Sequence, residues 1–330
     1  MKKNCLLFLT ILQVLSAFAK PAPPPKWFDD PREAFPESEY IVQKASGKTS
    51  EESKANAVSA MSRYFKTTVD GRLSTRLASR SSADGAEENL TVLEEITVES
   101  HNDFFALEYA EPYYHKPEKK WHCLAYINRD RAWNQYKPYL DVYVNAFNNL
   151  YETLNKEDSL VKLGTCHQVM QSGRELLEKL EYGRMLNPRE EKNYHSQRER
   201  IASIPAIYEE AKSNSSIYIN VTSGCSPAIV SAVRKSLAEC AFPLCSSRDE
   251  ASCILDISID DNINGDNPFA IKPSLTITIT DAVDNHVLSI ALESGEQTLS
   301  YTLENARKKA YPKLCKIISD YMQKEFSLDF

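Results

Sequence analysis

Apolar positions along this chain follow two rhythms, a spacing of two and a spacing of three or four, and the rhythms change in blocks. Residues 39–45 predict a first strand. Gly47 ends it, and Thr49 with Glu52 forms a capping box that opens a helix. On that helix Val58, Met61, Phe65 and Val69 recur at spacings of three and four, an apolar stripe. Residues 79–89 are small and polar and predict a mobile connection. Runs 90–100, 104–115 and 120–128 read as strands, the last two joined by a hairpin around Lys116, Pro117 and Glu118. The order so far is β-α-β-β-β.

From 131 to 213 the rhythm is helical throughout. Trp133, Tyr136, Leu140, Tyr143, Phe147, Leu150 and Leu154 make a seam of heptad type, with Pro138 inside it predicting a helix start or a kink. A second stripe runs through Leu160, Leu163, His167, Met170 and Leu177. Asn187 and Pro188 break the chain before a third, charged helix that ends near Ala211 and contains Pro205. Two or three antiparallel helices are the economical reading, and such aromatic stripes belong to a core.

The last third repeats the first pattern. Residues 216–221 form a strand and 227–240 a helix; 253–260, 275–281 and 287–292 are strands, the last two joined near Asp284 and Asn285. A final helix spans 303 to about Lys324, with Pro312 predicting a kink. The predicted class is α+β: two small β-α-β-β-β type units separated by a helical hairpin or three-helix spacer. The corresponding divisions are 1–19, 20–132, 133–213 and 214–330.

The first division is a leader. Lys2 and Lys3 precede an apolar run over 5–18 that closes on Ala17, Phe18 and Ala19, the form of a cleavable secretory signal. The run contains Gln13 and is shorter than the roughly 20 apolar residues a bilayer span needs. Cys5 lies inside it and so is not positioned as a lipid-anchor cysteine. Pro21 and Pro23 to Pro25 make a stiff, extended lead-in to the folded chain. No second long apolar run follows, which predicts no integral membrane span.

Composition narrows the chemistry. Without the leader, 37 of the 39 basic residues face 46 acidic ones, a net charge of −9, which argues against phosphate-backbone binding and hence against a nucleic-acid partner. The nine glycines are scattered, so no P-loop or dinucleotide fingerprint exists and no cofactor is implied. Seven of the eight cysteines remain: Cys123, Cys166, Cys225, Cys240, Cys245, Cys253 and Cys315. Export permits disulfides, an odd count leaves one thiol over, and the connectivity is not readable from spacing.

Candidate sites are few. Asp260, Asn262, Asn264, Gly265 and Asp266 match the first half of a calcium loop, with oxygen donors at alternate positions and a glycine at the bend. The twelfth position holds Ile271 in place of glutamate, and strands flank the segment where helices are expected. Asn and Asp also crowd ordinary turns, so a plain loop is the preferred reading and a weak calcium site the alternative. His122 with Cys123 and Cys166 with His167 offer a zinc-like donor set, but neighbours on a strand point to opposite faces. The basic cluster Arg307, Lys308, Lys309, Lys313 and Lys316 spreads round a helix and reads as a solvated face. No nucleophile elbow, zincin motif or Cys-x-x-Cys is present, and no catalytic residue is assigned.

Pro25 and Trp27, then Pro36, Ser38, Glu39, Tyr40 and Ile41, precede Gly47, Thr49 and a helix carrying Ala55, Ala57 and Ala60. With the run 124–129 and Ala132, this stretch resembles the bacterial family named for a twenty-kilodalton outer-membrane lipoprotein, the Lpp-twenty type. The resemblance covers 25–132 and implies an envelope protein with structural or assembly roles and no catalytic residues. The chain departs from it in lacking a lipid-anchor cysteine after the leader. By element order, 214–330 looks like the small α/β modules of TolB amino-terminal domains, activators of penicillin-binding proteins and flagellar ring proteins. The expectation is an exported, non-enzymatic periplasmic protein, placed free or peripherally at the outer membrane. Its expected partner is an envelope assembly, flagellar or of the peptidoglycan machinery. A ligand-binding module for a cation or glycan, at 260–266 or between the units, is the alternative; a hydrolase resting on abundant carboxylates is the third.

Overall fold

The computed structural model describes residues 23–84, 104–157, 159–222, 225–265, 268–281 and 286–326 of the 330. The leader at 1–19, the strand expected over 90–100 and the turn expected near Asp284 and Asn285 lie outside the described residues. The architecture is α+β, and the chain divides into two compact units. One comprises 1–72, 97–138 and 182–188, the other 73–96, 139–181 and 189–330.

In the first unit two short helices, α1 (Lys26–Asp29) and α2 (Pro31–Ala34), lead into β1 (Tyr40–Gly47). Helix α3 (Ser50–Asp84) follows at once because the capping box forms. Thr49 Oγ1 accepts from the Glu52 amide at 3.1 Å, and Glu52 Oε2 accepts from the Lys48 amide at 2.7 Å, one residue earlier than the ideal box. Gly47 lets strand and helix meet: a Cβ there would lie 2.6 Å from the Ser53 nitrogen. The α3 stripe is buried at Ala57, Met61, Phe65, Val69 and Leu73, so Ala57 takes the inward place expected of Val58. The helix also continues through 79–84, where the sequence predicts a mobile connection. Those residues lack an apolar stripe; Arg80 and Ala83 are good helix formers, and the segment holds neither Gly nor Pro to stop the helix.

The run 104–115 divides into β2 (Leu107–Tyr109) and β3 (Tyr113–His115), with Pro112, which has no N–H to donate, between them. Strand β4 (Lys120–Asn128) is central, paired antiparallel with β1 on one side and with β2 and β3 in succession on the other. Tyr40 faces Asn128 and Gly47 faces Trp121 in the β1–β4 register. Strand alternation therefore sets Tyr40, Val42, Lys44 and Ser46 on the same face as His122, Leu124 and Tyr126. The N-terminal segment covers that face: Phe35 packs on Tyr40 and Tyr126, and Phe28 on Tyr113, His115 and His122. Ile41, Cys123, Ala125 and Ile127 are buried on the other face. At the end of β4, Arg129 donates to the carbonyls of Glu37 and Met185.

Helices α4 (Arg129–Thr153), α5 (Ser159–Leu186) and α6 (His195–Asn214) contain the predicted seam, and the break at Asn187–Pro188 becomes a 3-10 turn over Pro188–Tyr194. Pro138 and Pro205 stand within continuous helices. In the second unit Leu140, Phe147 and Leu154 are buried, as are Leu163, Met170, Leu176 and Leu180. Gly173 marks the closest approach of these helices, since a Cβ there would lie 3.1 Å from Ile201 and 3.3 Å from Phe147.

Strand β5 (Ile217–Val221), helix α7 (Pro227–Glu239) and β6 (Cys253–Asp260) form a crossover in which β5 and β6 are parallel. Strands β8 (Ser274–Asp281) and β9 (His286–Glu293) continue the sheet antiparallel in the order β5-β6-β8-β9. Leu255, Ile257, Leu275, Ile277, Ile279, Ile290 and Leu292 are buried, while Ser258, Thr276 and Ser289 are exposed. Helix α8 (Leu303–Phe326) runs through Pro312 and lies against α7, with Cys315 Sγ 3.8 Å from the Ala228 carbonyl. Two three-residue strands not anticipated from sequence, β7 (Phe269–Ile271) and β10 (Thr298–Ser300), make a separate antiparallel pair beside α8. Tyr208 of α6 donates to the Phe326 carbonyl at 2.8 Å, tying the helices to the end of α8.

Candidate metal centre

The β3–β4 hairpin turns at Lys116–Lys119. Pro117 fixes one backbone angle, the Lys119 amide donates to the Lys116 carbonyl at 3.3 Å, and Lys119 sits at φ 54°. This turn sets the register Tyr113 opposite His122 and His115 opposite Lys120. His115 and His122 are therefore diagonal neighbours on one face, and Glu118 in the turn reaches both. His115 Nδ1 is 3.3 Å from Glu118 Oε1, and His122 Nε2 is 2.9 Å from Glu118 Oε2. The three donor atoms all lie within 4.8 Å of one another.

The two imidazoles are enclosed and the carboxylate is not. The side chains of His122, His115 and Glu118 retain 10%, 23% and 51% of their accessibility. The Phe28 ring stands 4.8 Å from His115 and 5.0 Å from His122, edge-on to the latter, and Tyr113 closes the same wall. Lys44, whose ammonium donates to the Phe28 carbonyl at 2.7 Å, lies 5.2 Å over that ring. Nδ1 of His115 and Nε2 of His122 are sealed from water, and neither makes a hydrogen bond of acceptable direction. A buried polar atom left so costs about 1–3 kcal/mol. Two nitrogens and a carboxylate oxygen converging on one point are a donor set for a divalent metal.

The donors expected from sequence fare differently. His122 and Cys123 are consecutive on β4 and face opposite ways, so Cys123 has no part in the hairpin cluster. Cys166 is buried on α5, and His167 stands edge-on to Tyr208 at 5.5 Å. In the loop after β6, Asp260 Oδ1 accepts from the Asn262 amide at 2.9 Å, and Asn262 Nδ2 donates to the Lys272 carbonyl and to Ser274 Oγ. Asn264 exchanges backbone hydrogen bonds with Ala270, Gly265 turns at φ 75°, and Asp266 lies outside the described residues. These oxygens and amides hold the loop itself. Among the basic residues of α8, Arg307 is exposed, as a solvated face requires, but it is also engaged. Its guanidinium pairs with the buried Asp261, which also accepts from the Tyr311 hydroxyl at 2.9 Å. Sequence reasoning missed the hairpin cluster although its signal was present: His115 and His122 flank a recognised turn at a spacing that register places on one face.

Burial pushes six of the thiols up. Cys123, Cys225, Cys240, Cys253 and Cys315 are all raised, chiefly by desolvation, and Cys166 is pushed up to about 11. All seven described cysteines are free thiols. A raised thiol is a poor nucleophile and a poor metal ligand at neutral pH, because the thiolate is the reactive form.

No family model matches the chain, and no curated protein does. Solved structures similar to the chain include three at 13% identity. A minor lipoprotein of Acinetobacter baumannii is covered over 90% of its length by 34% of this chain, with a TM-score of 0.24. A secreted protein of Helicobacter pylori is covered over 97% by 87% of this chain, with a TM-score of 0.34. An uncharacterized lipoprotein B of Nitrosomonas europaea is covered over 79% by 34% of this chain, with a TM-score of 0.23. Likeness at this level carries no argument about family or activity.

Proposed function

We propose that the chain is an exported protein of the bacterial envelope that acts by docking onto a periplasmic or outer-membrane assembly, flagellar or cell-wall related, without catalysis of its own. The observation that carries this reading is how the buried polar groups outside the hairpin cluster are used. Glu181 pairs with Arg198 at 2.9 Å, Asp261 holds Arg307 and Tyr311, and thiols such as Cys123, Cys166 and Cys253 are raised by burial. These groups are engaged in the fold rather than gathered in a cleft with a nucleophile and a base. The leader at 1–19 supports export, and among the described residues no helix is long and apolar enough to cross a membrane.

Crosslinking in the native cells, followed by purification and mass spectrometry, tests the reading. Recovery of flagellar basal-body or cell-wall-synthase components supports it and names the machine. A reproducible substrate turnover by the purified protein, abolished by one carboxylate or cysteine substitution, overturns it.

A further inference from the structure

We propose that His115, Glu118 and His122 form a binding site for one divalent transition-metal ion of the zinc class, held at the tip of the β3–β4 hairpin. This does not depend on the docking reading, since the site is complete within one hairpin of one chain.

The geometry points to a metal rather than to a carboxylate bridging two imidazoles. A bridging carboxylate needs ring N–H groups aimed at its oxygens, and at 3.3 Å and 2.9 Å neither nitrogen has that direction. Donor atoms around a tetrahedral zinc are not bonded to one another, and with metal–nitrogen lengths of about 2.0–2.1 Å they stand about 3.3 Å apart. The two His–Glu118 contacts are of that order, each to a different carboxylate oxygen, and the three donor atoms lie within 4.8 Å of one another, a span an ion closes by drawing them in. His122 is nine-tenths buried with its nitrogen turned into the cluster, so the site is built into the fold and is not a chance meeting of surface chains.

The donor set also selects the ion. Calcium and magnesium require oxygen ligands, which a site of two imidazoles and one carboxylate does not supply. Imidazole with carboxylate suits zinc, copper(II) and nickel(II), and three protein ligands leave a fourth position for water. Glu118, half-exposed, is the side from which an ion enters. Phe28 and Tyr113 wall the rings away from solvent, which strengthens the attraction between a cation and Glu118. A bound ion ties the turn residue to both strands and fixes the hairpin against the Phe28 segment.

The test uses the purified full chain, stripped with chelator and kept reduced, with Zn2+ alone and Co2+ as a spectroscopic stand-in. The expected result is uptake of one equivalent of Zn2+ and a rise in melting temperature. Co2+ is expected to give ligand-field bands of nitrogen and oxygen coordination without thiolate charge transfer. Glu118→Gln, at an exposed position the fold does not need, weakens Zn2+ at least about tenfold and removes the thermal shift. His115→Gln does the same while leaving the circular dichroism of the apo protein unchanged. Three results overturn the proposal. The first is a dissociation constant weaker than about 0.1 mM. The second is thiolate charge-transfer bands, which place the metal on the cysteines. The third is Zn2+ affinity unchanged in the Glu118→Gln, His115→Gln double variant.

Discussion

Gly47 joins β1 to α3 with no room for a side chain, because a Cβ would press on the backbone of Ser53 and Glu52 at 2.6 and 2.8 Å and on the Glu52 Cβ at 2.9 Å. Backbone atoms at the first turn of a capped helix cannot yield as a flexible side chain can. Gly47→Ala is therefore expected to destabilise the protein by about 1–3 kcal/mol, with the loss visible in urea unfolding of the purified variant. An unchanged midpoint would mean that the turn relaxes freely. The opposite case occurs at the end of α7. The Phe242 amide donates to the Leu237 carbonyl at 3.0 Å and the Ala241 amide to the Ala238 carbonyl at 2.9 Å, a Schellman cap with Phe242 and Leu237 both buried. The cap needs a left-handed residue, and alanine occupies it at φ 61°. Ala241→Gly removes that strain and should raise stability by roughly 0.5–1 kcal/mol, net of glycine's greater unfolded-state freedom. A fall in melting temperature would show that the alanine methyl contributes packing that outweighs the backbone term.

Between elements, α5 and α6 are joined by a buried ion pair. Glu181 is 0% and Arg198 9% exposed, and the guanidinium meets the carboxylate at 2.9 Å. Taking both charges out of water opposes their attraction, so the pair as a whole adds little, whereas either partner alone is costly. Glu181→Ala should cost about 3–5 kcal/mol, while Glu181→Leu with Arg198→Met should stay near the parent. A double-mutant cycle by urea unfolding measures this, and equal losses in single and double variants would contradict it. The same elements show what could be read in sequence. Leu140 and Phe147, with Leu154 just past the end of α4, repeat at helical spacing because one side of the helix is buried, and Leu275, Ile277 and Ile279 alternate with threonines because one face of β8 is buried. Strands β7 and β10 span three residues each, too few for any period to register. The extension of α3 over 79–84 carries no apolar stripe, so only its propensity marked it. The hairpin cluster was hidden for another reason. Spacing alone does not say whether two residues seven apart share a face; that follows only once the turn at Lys116–Lys119 fixes which residue of β4 lies opposite His115.

At the scale of the whole molecule, thiols and tyrosines inside both units are raised by burial, and this sets the direction of its response to alkaline pH. Thiols ordinarily titrate near 9; Cys166 is pushed up to about 11, and Cys123 and Cys253 move the same way. Burial likewise raises Tyr182 and Tyr208, and burial with the Asp261 hydrogen bond takes Tyr311 to about 12. Each group keeps its proton longer when folded than when unfolded. Between the unfolded and folded values the native state therefore binds more protons, and the free energy of unfolding falls as pH rises. The stabilisation from these groups is complete below about pH 9, declines from about 9 to 11 as thiols of the unfolded chain ionise, and declines further as its tyrosines follow. Urea midpoints measured under reducing conditions at several pH values across this window should decrease steadily. Cys166→Ala removes one titrating group and should make the decrease shallower, whatever the variant loses in packing at neutral pH. A midpoint that does not move between about pH 9 and 11, or a slope identical in Cys166→Ala, would show that these thiols ionise without opening the fold.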